Sequence, residues 1–227
     1  MRQMLKGMSL LVAVSACGQA AQTDSRAAGE TRASTDAAAP APGSDRTILF
    51  IGTSLTAGLG LEPEQSYPAL IQERINSAEL NYRVVNAGVS GETSAGALGR
   101  LAWLLRQPMD IVVIETGAND GLRALSVNTM RANIDSIITR VKKAHPAARI
   151  VLVGMEAPTN LGVRYTGRFR EVYPDLAEEH DVTLVPFLLD GVAAQPALNQ
   201  GDGVHPNEAG ARILADNVWK VLRPLLR

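Results

Sequence analysis

Five short apolar runs, each followed by a stretch with helical spacing, restrict more than any other feature how this chain can fold. The runs fall at 48–51, 82–86, 111–115, 150–154 and 182–186. They are near-continuous rather than alternating, as strands covered on both faces are. Helix-period segments separate them near 67–78, 95–105, 129–144 and 169–180, and a last one, 208–226, follows Pro206. In the third of these, Met130, Ile134, Ile137, Ile138 and Val141 recur every three or four residues, an apolar stripe that faces a sheet. Such alternation predicts an α/β fold with a parallel, doubly wound sheet and right-handed crossovers.

In an open α/β sheet, chemistry gathers where the chain leaves the carboxyl ends of the strands. The first run opens the stretch TILFIGTSLTAGLG, residues 47–60. Gly52 ends it and Thr53 and Ser54 follow at once, so Ser54 is a nucleophile candidate at the sheet rim. A general base must come from one of three histidines. His145 and His180 stand at helix-to-strand junctions, across the sheet from Ser54, where a histidine favours the helix dipole. His205 lies in the loop Gly-Asp-Gly-Val-His-Pro-Asn, residues 201–207, with Asp202 three positions ahead. That step has two readings. Asp202 orients the imidazole by accepting from Nδ1–H, leaving Nε2 free to take a serine proton; or Asp202 is a turn residue and Asn207 a helix cap.

Two further loops follow the second and third runs. Residues 86–93, NAGVSGET, supply glycines whose N–H groups approach a ligand closely, Gly91 among them. Residues 116–120, TGAND, supply the amide of Asn119. Preset donors of this kind hold a developing oxyanion, each worth about 3 kcal/mol of barrier; an ordinary glycine turn and an Asx-turn are the alternatives. Ser54 lacks a G-x-S-x-G frame, because Thr56 stands where the second glycine would be. There is no GK[ST] phosphate loop, no G-x-G-x-x-G at the first turn and no Cys pair beside the scattered histidines. No cofactor and no metal are expected. A formal net charge of −1, evenly mixed, gives no sign of a nucleic-acid partner.

Four blocks carry a resemblance: Gly-Thr-Ser-Leu at 52–55, Gly91 within NAGVSGET, Gly-Ala-Asn-Asp at 117–120 and Asp-Gly-Val-His at 202–205. In content, order and spacing they resemble the SGNH (GDSL-type) hydrolases, over essentially all of residues 47–227. The branch they look most like is the bacterial multifunctional thioesterase, lysophospholipase and arylesterase group. The resemblance implies a flavodoxin-like three-layer α/β/α sandwich with a five-stranded sheet in the order 2-1-3-4-5. By position it makes Ser54 the nucleophile, His205 the base and Asp202 its orienter, with the Ser54 N–H, the Gly91 N–H and the Asn119 side chain as oxyanion donors. The departure is Thr53, where the family usually has Asp.

The implied activity is hydrolysis of carboxylic esters: aryl or short-to-medium acyl esters, lysophospholipids or thioesters. A carbohydrate O-deacetylase of the same fold is the alternative, and a non-catalytic acyl-binding lipoprotein a further one. Leu122, Leu125, Leu161 and Tyr165, on loops that border the acyl site in the family, are candidate pocket residues; local packing is the competing reading.

Residues 1–17 have a basic start (Arg2, Lys6), an apolar run and small residues before the chain's one cysteine, Cys17. This is a secretory signal, too short for a membrane span. It resembles a bacterial lipoprotein signal in which Cys17 becomes a lipid-carrying amino terminus, anchoring the protein to a membrane of the cell envelope. Gly18 rather than Asp follows, which by the same resemblance does not retain it at an inner membrane. A plain signal peptide cut near Ala20 or Ala21, releasing a soluble periplasmic or secreted protein, is the alternative. Residues 18–46 are rich in Ala, Ser, Thr and Pro, bury too little apolar surface to offset their ordering entropy, and read as a flexible spacer. The hydrolase domain is expected over 47–227.

Overall fold

In the computed structural model, which describes residues 46–227, strand β1 (Arg46–Gly52) lies near the middle of the sheet. On one side it pairs in parallel with β2 (Tyr82–Gly88) and on the other with β3 (Ile111–Glu115), Phe50 facing Asn86 and Val113 in register. Strands β4 (Arg149–Val153) and β5 (Thr183–Val185) extend the sheet beyond β3, giving the order 2-1-3-4-5 throughout in parallel. Helices on both faces explain the apolar runs: Ile48, Phe50, Ile51 and all of Ile111–Ile114 are shielded from water. The free edge of β2 is satisfied by a side chain, Gln72, which accepts from the Val84 N–H and donates to the Tyr82 carbonyl.

Helix α1 (Ser54–Ala57) and helix α2 (Tyr67–Ser77) follow β1. After β2 comes α3 (Ser94–Leu104), and after β3 come α4 (Ala118–Leu122) and α5 (Val127–Ala144). Helix α6 (Val163–Glu179) joins β4 to β5, and α7 (Glu208–Leu222) ends the fold. Helices α3, α5 and α6 pack side by side, while α2 packs on α7, which makes the two outer layers. The α5 stripe from Met130 to Val141 is buried as its spacing requires.

The differences from the sequence reading have local causes. Helix α6 begins at Val163 rather than 169, because its first turn is largely exposed and carries no apolar period; it also runs through Pro174. Helix α7 stops at Leu222, since Pro224 lacks the N–H that would continue the ladder, and a 3₁₀ turn over Arg223–Leu225 replaces the rest. Helices α1 and α4 are too short to show a period. Arg46, read as spacer, is already in β1, where Nη1 donates to the Tyr82 hydroxyl at 3.0 Å. The signal, Cys17 and the remaining spacer lie outside the described residues.

Candidate active site

Ser54 stands at the carboxyl end of β1 as the first residue of α1, and only 8% of its surface is exposed. His205 arrives from a tight turn between β5 and α7. Asp202 makes that turn: Oδ1 accepts from the Val204 N–H at 2.9 Å and the His205 N–H at 3.0 Å. Its other oxygen, Oδ2, lies 2.6 Å from His205 Nδ1, and His205 Nε2 lies 2.9 Å from Ser54 Oγ. A carboxylate accepts but cannot donate, so Nδ1 carries the hydrogen and Nε2 is left as the acceptor for the Ser54 hydroxyl. The backbone N–H of His205, its ring N–H and the Val204 N–H, in that order, hold the Asp202 carboxyl well below the usual carboxylate range. Asp202 therefore both makes the turn and contacts the imidazole, through different oxygens. Asn207 also caps α7, accepting from the Gly210 N–H at 3.1 Å.

The histidine loop is stapled to the serine's segment by Gln200. Its Nε2 donates to the Leu59 carbonyl at 2.7 Å and to the Pro206 carbonyl at 2.9 Å. Two loops distant in sequence are thus fixed to one side chain, which sets the approach of imidazole to hydroxyl.

Gly91 and Asn119 line the same cleft as Ser54 and His205. Among the described residues, the Ser54 N–H, the Gly91 N–H and the Asn119 side-chain amide donate to no protein acceptor. Gly117 makes the turn into α4 that carries Asn119. Its φ is +102°, and a Cβ there would lie 2.4 Å from the Tyr173 hydroxyl, which itself donates to the Thr116 carbonyl at 2.9 Å. Two contacts tie α4 to the loop bearing Gly91. Buried Asp120 accepts from the Ser94 N–H and hydroxyl, both at 2.7 Å, and Arg123 Nη2 donates to the Gly91 carbonyl at 2.8 Å. Sequence reading missed both residues. Asp120 stood in view beside Asn119, but its partner is 26 residues away in sequence and no local pattern points to it.

The cleft is about 500 Å³ and mostly apolar, with Leu59, Leu122, Met155, Pro158, Phe187 and Val204 among its walls. Of the four pocket candidates only Leu122 lines it. Tyr165 instead stacks on Phe169 and donates its hydroxyl to the Leu125 carbonyl at 2.7 Å; Leu161 packs on the core; Leu125 is exposed outside the cleft. For Tyr165 and Leu161 these contacts are the local packing that the competing reading describes. The walls after β5 (Phe187, Leu189, Ala193 and Ala194) were not read from sequence, because irregular loops carry no periodic signal.

His145 and His180 stay apart from Ser54. His145 Nε2 meets the Leu105 carbonyl at 3.0 Å and His180 Nε2 meets Asp135 at 2.7 Å, each ring next to a helix end. Asp135, Glu179 and His180 bring three metal-ligand types together, but Arg131 already ion-pairs with Glu179 there and the group is remote from the cleft.

Fold and cleft define a class, the SGNH-type hydrolases: a parallel sheet in this order with serine and histidine meeting above its carboxyl edge. The comparisons agree. Residues 50–213 match the GDSL-like lipase/acylhydrolase family. The chain is 41% identical over 182 residues to esterase TesA of Pseudomonas aeruginosa, covering 80% of this chain and 90% of that one. It is 38% identical over 181 residues to thioesterase 1/protease 1/lysophospholipase L1 of Escherichia coli, covering 79% and 85%. A crystal structure of TesA superposes with a TM-score of 0.76 at 41% identity, over 80% of this chain and 100% of that one. The psychrotrophic esterase EstA from Pseudoalteromonas sp., inhibited by monoethylphosphonate, gives 0.75 at 33% identity, over 80% and 98%. This chain belongs to the GDSL-like lipase/acylhydrolase family.

Proposed function

We propose that this chain is a serine esterase that hydrolyses carboxylic esters through an acyl-enzyme. The observation that carries the reading is the unbroken line Asp202–His205–Ser54, at 2.6 and 2.9 Å, opening onto a cleft with unpartnered donors. In the first half-reaction Ser54 Oγ bonds to the carbonyl carbon while His205 Nε2 takes the hydroxyl proton. The carbonyl oxygen, now anionic, receives hydrogen bonds from the Ser54 N–H, the Gly91 N–H and the Asn119 amide. As the bond to the alcohol oxygen breaks, His205 returns the proton to that oxygen. Water then repeats the sequence on the acyl-serine and frees the acid.

The apolar walls favour an acyl chain or an aryl group over a sugar ring, whose hydroxyls would meet few partners there. The relatives' names, esterase and thioesterase/lysophospholipase, lie within that range. The signal-like opening and Cys17 support export and lipid anchoring in the cell envelope.

A fluorophosphonate probe tests the reading, as the phosphonate-inhibited EstA suggests. Labelling requires Ser54 and disappears in Ser54→Ala, together with hydrolysis of p-nitrophenyl esters. Labelling that survives the substitution ends the assignment.

A further inference from the structure

Beneath the turn that carries Ser54 lies a carboxyl group with no part in the proton relay. Glu115 ends β3, a strand whose other four residues are hydrocarbon, and it is wholly shielded from water. Its Oε2 accepts from the Thr53 backbone N–H at 2.8 Å and from Thr56 Oγ1 at 2.8 Å, and its Oε1 accepts from Thr53 Oγ1 at 2.9 Å. Thr56 gives its hydrogen to Glu115, so at 2.7 Å it is the Tyr67 hydroxyl that donates to Thr56. Among the described residues no lysine, arginine or histidine ion-pairs with Glu115.

A carboxyl in so dry a place is retained only if hydrogen-bond donors surround it. Here these bonds all come from two residues, one immediately before Ser54 and one two positions after it. Gly52 leaves the space for this: a Cβ at that position would lie 1.9 Å from Thr56 Oγ1 and 2.8 Å from Glu115 Oε2. Thr53 is the position at which the chain departs from the usual family block. Aspartate there would set a second carboxyl against Glu115, whereas threonine brings a donor.

We propose that Glu115 is a positioning residue for Ser54, holding the 53–56 turn from both sides so that the serine hydroxyl meets His205 Nε2, with Thr53 as its matched donor. This rests on the reading of Ser54 as nucleophile. It also accounts for a buried acid that neither the proton relay nor the oxyanion donors use.

The test uses Glu115→Gln, which keeps size while placing an amide nitrogen among the donors, and Thr53→Val, which removes one hydroxyl and keeps the shape. Misplacing a reacting atom by a fraction of an ångström costs rate rather than binding, so each variant is expected to lose roughly tenfold in kcat with KM within about twofold. If Glu115→Gln yields no soluble protein, Thr53→Val carries the same expectation. A lowered melting temperature with unchanged kcat would show a merely structural pin and overturn the proposal. Should the wild type fail to react at Ser54, the reading of function fails, and crystal structures of the variants decide this one. Ser54 Oγ drawn beyond hydrogen-bonding reach of Nε2 supports it; the 2.9 Å contact retained refutes it.

Discussion

Asp202 grips His205 at two points, its ring Nδ1 through Oδ2 at 2.6 Å and its backbone N–H through Oδ1 at 3.0 Å. The first contact fixes the tautomer and the second fixes the loop, and a single substitution can separate them. In Asp202→Asn the amide oxygen still accepts from the Val204 and His205 N–H groups, so the turn persists. The amide nitrogen then faces Nδ1 as a donor and drives the hydrogen to Nε2, where it blocks acceptance from Ser54. A loss of about 10²- to 10⁴-fold in kcat is expected, with KM little changed, measured on a p-nitrophenyl ester.

The same bonds give a pH signature. With its carboxyl held well below the ordinary range, Asp202 stays ionised through mildly acid solution. The acid limb of kcat/KM therefore shows no break from this carboxyl between about pH 3 and 5, where an unperturbed carboxyl titrates. In Asp202→Ala the turn loses its acceptor as well, so that variant falls further than Asp202→Asn and also melts earlier.

Two of the three proposed oxyanion donors, Gly91 and Asn119, come from segments joined by Arg123 and Asp120, so direct and indirect losses should rank. Asn119→Ala removes a donor itself and is expected to lower kcat by about 10²- to 10³-fold. Arg123→Ala leaves every donor in place and frees only the Gly91 carbonyl, an exposed contact. Its cost is expected to be several-fold at most, in kcat rather than KM. Equal losses would mean that Arg123 touches substrate.

Burial raises the Glu115 carboxyl to about 7, the Thr53 and Thr56 bonds only partly opposing it. The folded state therefore keeps a proton that the unfolded chain releases from about pH 4.5 upward. Between about 4.5 and 7 the native form binds more protons, so this group's contribution to stability falls as pH rises and is fully lost above 7. The whole effect is up to roughly 3 kcal/mol. Tyr67 and Tyr173, which face it, are raised well above their usual range by burial and by the Glu115 charge, and stay neutral throughout. Denaturant titrations at pH 5 and 8 should show the fall in wild type and its absence in Glu115→Gln.

What could be read in the sequence follows from what is periodic or local. The strands were visible because burial on both faces leaves unbroken apolar runs, and α5 because Met130–Val141 repeats at helical spacing. The Asp202–His205 step was visible because its two partners are three residues apart. Glu115 was not: at the end of a hydrocarbon run it reads as a strand terminus, and its donors stand some 60 positions earlier. Tyr165 and Leu161 stand where two readings competed. Leu161 ends a 3₁₀ turn and Tyr165 lies in the first turn of α6, where packing on the core and on Phe169 decides side-chain direction.

Which residues form the acyl wall is testable by substrate length. Leu122 lines the cleft and is about half exposed, so truncating it removes part of one apolar wall, on the order of 1 kcal/mol for a chain long enough to reach it. Leu122→Ala should therefore lower kcat/KM several-fold on p-nitrophenyl octanoate and leave the acetate, which ends near Ser54, almost unaffected. Tyr165→Phe removes a hydroxyl that serves only the Leu125 carbonyl, so both esters should be hydrolysed within about twofold of wild type. A Tyr165 variant that discriminates between the two chain lengths would return that residue to the acyl wall. A Leu122 variant that does not would move the chain-length determinant to Phe187 and Leu189, the cleft walls that follow β5.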